Sequence, residues 1–139
     1  HGAIIYTSFC LLCEVLFTGV FEGLVTLGKS FKAEVSLLMI FPYFLGYILG
    51  SSIIEHITHR GVQIYFIVSV VYILEYSFGL LYRKLGECPW KYDHVLKINS
   101  AINIRLDVNG LITLAYLPFW FIFAEASLLV YPSIQKIVN

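Results

Sequence analysis

The chain has 139 residues and balanced charge, with nine acidic and nine basic side chains, so it lacks the basic surface that a nucleic-acid backbone requires. Its residues are 59% hydrophobic and only 13% charged, and its mean hydropathy is +0.83, whereas roughly a quarter of an ordinary soluble domain is charged. A domain this small leaves much of its surface exposed, which excludes water as the solvent for so much apolar area and implies lipid.

In chain order, the sequence begins at His1 rather than Met, as a processed chain or a piece of a longer one does. The first apolar stretch is longer than a signal-peptide core and has no basic leader, so no cleavable signal is expected. Four stretches approach the roughly 20 residues that span a bilayer's hydrocarbon: residues 2–27, 35–54, 62–82 and 111–131. Short polar connectors, 28–34 and 56–61, separate the first three, and a long charged loop, 83–110, precedes the fourth. The expected fold is all-α: one polytopic domain, residues 1–139, of about four transmembrane helices. Even-numbered spans place both termini on one side. The connectors after the first and third helices carry Lys29, Lys32, Arg83, Lys84, Lys91, Lys97 and Arg105, against Arg60 and Lys136 elsewhere, so those two loops are expected on the cytoplasmic or matrix side.

Within the first helix, Cys10 and Cys13 form a C-x-x-C. No second ligand pair matches it, and packing is the expected role. In the second, Gly46 and Gly50 make a G-x-x-x-G followed by Ser51 and Ser52, a spacing that lets helices approach closely in lipid. Pro42 and Pro118 are expected to bend their helices. Glu55, His56 and His59 give an E-H-x-x-H order in a short connector. This is not the H-E-x-x-H of zinc hydrolases and no third ligand is indicated, so neither a metal nor a cofactor is expected.

Carboxyl groups inside the spans are the most informative feature. Glu14 and Glu22 lie in the first helix, Glu75 in the third and Glu125 in the fourth, with no Lys or Arg inside any span. Each costs roughly 2.5–3.5 kcal/mol at a span's centre on insertion scales, and desolvation favours the neutral acid. Cys10, Glu14, Thr18, Glu22 and Thr26 recur every fourth residue and make one polar ridge. Tyr72, Glu75, Gly79 and Tyr82 share a face of the third helix, so a tyrosine hydroxyl there is expected to reach Glu75. Two arrangements remain open: a hydrogen-bonded seam holding the bundle together, or a cavity that accepts protons, a cation or a lipid head.

In the long loop, Trp90 and Tyr92 suit the headgroup level, where a ring is apolar at one end and wet at the other. Asn109-Gly110 marks a turn. Residues 98–104 are apolar but too short to cross, and are expected to lie along the interface or re-enter the membrane. The loop as a whole is then an anchor or a lid.

Several of these segments resemble the transmembrane protein 229 family. They are Cys13-Glu14-Val15-Leu16-Phe17-Thr18 with Glu22, Leu74-Glu75-Tyr76 with Gly79, Cys88-Pro89-Trp90 with Tyr92, and Asn109-Gly110-Leu111-Ile112-Thr113-Leu114. Related bacterial proteins are labelled type IV ABC-transporter membrane proteins. Lys91 and Asp93 stand where the family pattern has an acid and a serine. The resemblance implies a multi-pass helical protein and carries over Glu14, Glu22, Glu75, Trp90, Tyr92 and Asn109. No nucleotide-binding motif or catalytic set is visible in the chain. The expected role is therefore a non-catalytic accessory or structural subunit of a larger membrane complex with bound lipids. Its partners are then membrane lipids and other membrane subunits. The alternative is a lipid- or ion-handling protein that uses Glu14, Glu22 and Glu75.

Overall fold

The computed structural model describes residues 1–25, 36–86, 88–93, 95–97 and 103–138, with the side chains of 21–25 and 97 left aside. Four helices form the body: α1 (Gly2–Val25), α2 (Ile40–His56), α3 (Arg60–Leu85) and α4 (Leu117–Val138). Together with the short 3₁₀ turns that precede α2 and α4, they give four stretches long and apolar enough to cross a membrane, Gly2–Val20, Leu37–His56, Arg60–Leu85 and Leu114–Val138. The connector 28–34 and the end of the first predicted span, 26–27, lie outside the described residues.

The helices pack in a closed cycle. α1 contacts α2 and α4, and α3 contacts α2 and α4, which sets α1 opposite α3. Two small cores hold the cycle. One joins Tyr6 and Cys10 of α1 to Ile134 of α4; the other joins Ile67 and Val68 of α3 to Ala124 of α4. Tyr6 and Ser127 exchange a buried 2.8 Å hydrogen bond between α1 and α4. Outside these cores the apolar side chains point outward. In the α2 span only 11% of residues are buried, and Leu37, Phe41, Ile73, Ile122 and Leu129 are all exposed. Water does not tolerate a continuous outer surface of this kind; acyl chains do.

Both expected proline kinks are corrected. Pro42 and Pro118 each sit where a short 3₁₀ turn (Leu37–Met39 and Leu114–Tyr116) passes into an α-helix. Each turn is capped, by Ser36 accepting from the Leu38 N–H and by Thr113 accepting from the Ala115 N–H. A proline leaves the carbonyl four residues earlier without its helical partner. For Pro42 that carbonyl is Leu38, and Tyr82 of α3 donates to it at 2.6 Å. For Pro118 it is Leu114, which accepts from the Leu117 N–H. The proline inside a helix is instead Pro132 of α4, beyond the end that the hydropathy pattern assigned to the fourth span.

The α2–α3 connection is tied by side chains. Gln63 donates to the Ile57 and Ile54 carbonyls at 2.6 and 3.3 Å, serving acceptors that a helix end leaves open. His59 caps α3 by accepting from the Val62 N–H, and His56 Nδ1 lies 2.8 Å from the Ser52 carbonyl oxygen. Glu55 accepts from Tyr131 of α4. The members of the E-H-x-x-H order thus hold local structure, and among the described residues no three His, Cys, Asp or Glu side chains cluster as metal ligands.

The long loop differs from expectation. Its described part forms two antiparallel strand pairs, β1 (Val95–Lys97) with β2 (Asn103–Arg105) and β3 (Asp107–Val108) with β4 (Ile112–Thr113). Residues 103 and 104 therefore belong to a strand, and 98–102 lie outside the described residues. The fourth helix begins at Leu117 rather than 111 because Ile112 and Thr113 are strand-paired. Asn109 and Gly110 have φ of 53° and 67°, and the Leu111 N–H donates to the Val108 carbonyl. Positive φ at both central residues is the geometry that tight hairpins select. Asp107 locks the turn by accepting from the Gly110 N–H at 3.1 Å and pairing with Arg105 at 2.9 Å. That ion pair holds the Asp107 carboxyl below the usual carboxylate range.

Candidate functional site

The hairpin is pressed onto α3. Leu111, fully buried, covers Gly79, where an added Cβ would come within 2.7 Å of a Leu111 methyl. Trp90 fixes the preceding strand of loop: its indole N–H donates to the Leu111 carbonyl at 3.0 Å, and its ring meets Tyr82 edge-on. The Tyr92 N–H donates to the Gly110 carbonyl at 2.9 Å. This docking aims the Tyr92 side chain into the bundle, where its hydroxyl donates to Glu75 Oε1 at 2.5 Å. Burial, reinforced by the neighbouring Glu75, pushes the Tyr92 hydroxyl far above its ordinary range, so it remains a donor.

Opposite Glu75 stands Glu14 of α1. Tyr43 of α2 donates to Glu14 Oε2 at 2.9 Å. Both carboxyl groups line one cavity of about 940 Å³. Its wall is drawn from α1, the Ser36 turn, α2, α3, the 89–92 loop and α4, and its size falls at the top of the range of ligand sites, roughly 300–1,000 Å³. A second, smaller cavity of about 60 Å³ lies among the helices, and Met39, Tyr43, Glu75, Trp120 and Phe123 line both. These residues form the wall that the two chambers share.

The residues singled out from sequence fall into three groups. Glu14, Thr18, Glu75, Trp90 and Tyr92 come together on the larger cavity; Thr18 also donates to the Glu14 carbonyl at 2.8 Å, bonding back along its own helix. Tyr72 and Asn109 are placed elsewhere. A tyrosine on the same face of α3, Tyr72 or Tyr82, is the expected partner of Glu75, but Tyr72 donates to the Thr113 carbonyl at 3.0 Å and Tyr82 to the Leu38 carbonyl, and the hydroxyl that reaches the carboxyl comes from Tyr92. Asn109 donates to the Tyr76 hydroxyl on the outside of the hairpin. The side chain of Glu22 lies outside the described residues.

Two further expectations change. Glu125 is not uncompensated, because Arg60 at the start of α3 reaches across to form an ion pair with it. Within the chain, Gly46 and Gly50 make no tight crossing with the described helices: a Cβ on Gly46 would make ordinary contact with Leu74, one on Gly50 would meet nothing, and both residues line the smaller cavity. Cys10, Cys13 and Cys88 are free thiols, and Cys10 is buried in the α1–α4 core. Sequence reasoning missed Tyr43 and Trp120. Neither carries a periodicity signal, since each sits among apolar and aromatic neighbours in its span.

No protein-family model matches the chain, and no solved structure matches it.

Proposed function

We propose that this is an integral membrane protein that takes a lipid-like amphiphile into an intramembrane cavity and engages its head with Glu14 and Glu75. One observation carries the reading. Two carboxyl groups from opposite helices, each already given one tyrosine donor, line a single cavity of about 940 Å³ whose remaining wall is mainly aromatic and aliphatic. Buried carboxyl groups are costly to maintain in lipid. A packing role alone does not call for a chamber beside them. The alternative, a non-catalytic accessory subunit held to its neighbours through Gly46 and Gly50, leaves the chamber beside the two carboxyl groups without a role. The loops after α1 and α3 face the cytoplasm or a matrix-like compartment in this reading, by the bias of their basic residues.

The test is lipid occupancy. The full chain is extracted into nanodiscs, and the retained amphiphile is quantified by native mass spectrometry. Glu14→Leu and Glu75→Leu each lower occupancy about tenfold, the worth of one buried polar contact. Glu55→Gln, at an exposed carboxyl outside the cavity, leaves it unchanged. Occupancy unaltered by both leucine substitutions in an inserted, helical protein defeats the proposal.

A further inference from the structure

Building on the cavity reading above, the geometry points to a ligand whose head is a hydroxyl on an otherwise apolar, uncharged lipid, held between Glu75 and Trp120. Three buried side-chain polar atoms have no hydrogen-bond partner among the described residues: Thr7 Oγ1, Glu75 Oε2 and Trp120 Nε1. Thr7 lines neither cavity, whereas Glu75 and Trp120 both belong to the wall shared by the two. Leaving a buried polar atom unbonded is expensive, and two of them on one chamber wall make a site with a defined chemical demand.

That demand selects among heads. An indole N–H only donates, so Trp120 needs an acceptor. Glu75 Oε2 needs a donor if the carboxyl is ionised and an acceptor if it carries the proton there. A hydroxyl donates one hydrogen bond and accepts up to two, so it answers both atoms in either protonation state. An ammonium has three donors and no acceptor, which leaves Trp120 unanswered. A phosphate or carboxylate head answers Trp120 but sets an anion against the glutamates. The rest of the shared wall is Met39, Phe123 and Tyr43, whose hydroxyl is committed to Glu14. Among the described residues, the one cation that lines the larger cavity, Lys91, is exposed and takes no part in the shared wall. An uncharged head is therefore favoured. The smaller chamber, about 60 Å³, has room only for a small group, so the apolar body occupies the larger one.

The experiment separates head chemistry from cavity binding. The full chain in phosphatidylcholine nanodiscs is photolabelled with a diazirine-bearing long-chain fatty alcohol, with the amine of the same chain, and with the matched hydrocarbon. The expected result is saturable labelling of cavity peptides by the alcohol, about tenfold tighter than by amine or hydrocarbon. Trp120→Phe and Glu75→Leu abolish that preference. Glu75→Gln keeps it, because an amide both donates and accepts. If the amine labels more tightly than the alcohol and Glu75→Gln abolishes its binding, the site is cationic; the hydroxyl assignment then falls while the cavity proposal stands. Alcohol preference unchanged in Trp120→Phe also overturns the assignment. Saturable labelling by none of the probes overturns both.

Discussion

At the scale of single residues, the Glu75–Tyr92 pair couples the loop to the helix bundle. Tyr92→Phe removes the donor to Glu75 Oε1 while keeping the ring that meets Tyr116 edge-on. It is expected to destabilise the protein by about 1–3 kcal/mol, the cost of stranding a buried polar atom, measured as a lowered thermal midpoint in detergent. Asp107 gives a pH signature outside the spans. Its carboxyl is held low by Arg105 and the Gly110 N–H, so the stabilisation is complete above the ordinary aspartate value of about 3.9 and is lost as pH falls through the lowered folded value. The expected observation is loss of amide-exchange protection in the 107–113 hairpin on acidification. Asp107→Asn should remove that pH dependence; a hairpin equally protected across the acid range in the native protein would refute the assignment.

At the scale of elements, the hairpin is a plug seated on a helix, and a glycine sets its seat. Replacing a helical glycine by alanine ordinarily stabilises by up to about 1 kcal/mol. Gly79→Ala is expected to do the opposite, because Leu111 is fully buried and its methyl has no room to retreat; overpacking of this sort costs about 1–3 kcal/mol. Restoration of stability by Leu111→Val in the same chain would confirm the clash, and a stabilised single variant would refute it. The two capped 3₁₀ turns, each followed by a proline in the first turn of its α-helix, are a related device. Each starts a helix at a fixed point, and Tyr82 supplies the hydrogen bond that Pro42 forfeits, so α2 and α3 are joined where α2 would otherwise be weakest.

For the whole molecule, the closed cycle of four apolar helices has an inverted character: the carboxyl groups Glu14 and Glu75 line a cavity among the helices, and apolar side chains, aliphatic and aromatic, cover the outside. In the proposed membrane topology, four crossings would put residues 1 and 138 on one side and Cys88 on the other. Tags at the two ends are expected to be digested together by protease added to one face of sealed vesicles. A membrane-impermeant maleimide should label Cys88 only from the opposite face. Tags digested from opposite faces would require an odd number of crossings.

Hydropathy and length alone determined the number and rough extent of the helices, because burying about 20 apolar residues in lipid is a local property of each segment. The four-residue recurrence of Glu14 and Thr18 likewise showed that helix one has a polar side, since the side-chain direction along a helix is fixed by its geometry. Partner choice was another matter. Tyr92 rather than Tyr72 or Tyr82 meets Glu75, Arg60 meets Glu125, and Gly46 and Gly50 line a small cavity of the bundle. Each outcome depends on how separate segments are brought together in space, through loop docking and helix order. Periodicity gives the direction of a side chain on its own element but not what waits there.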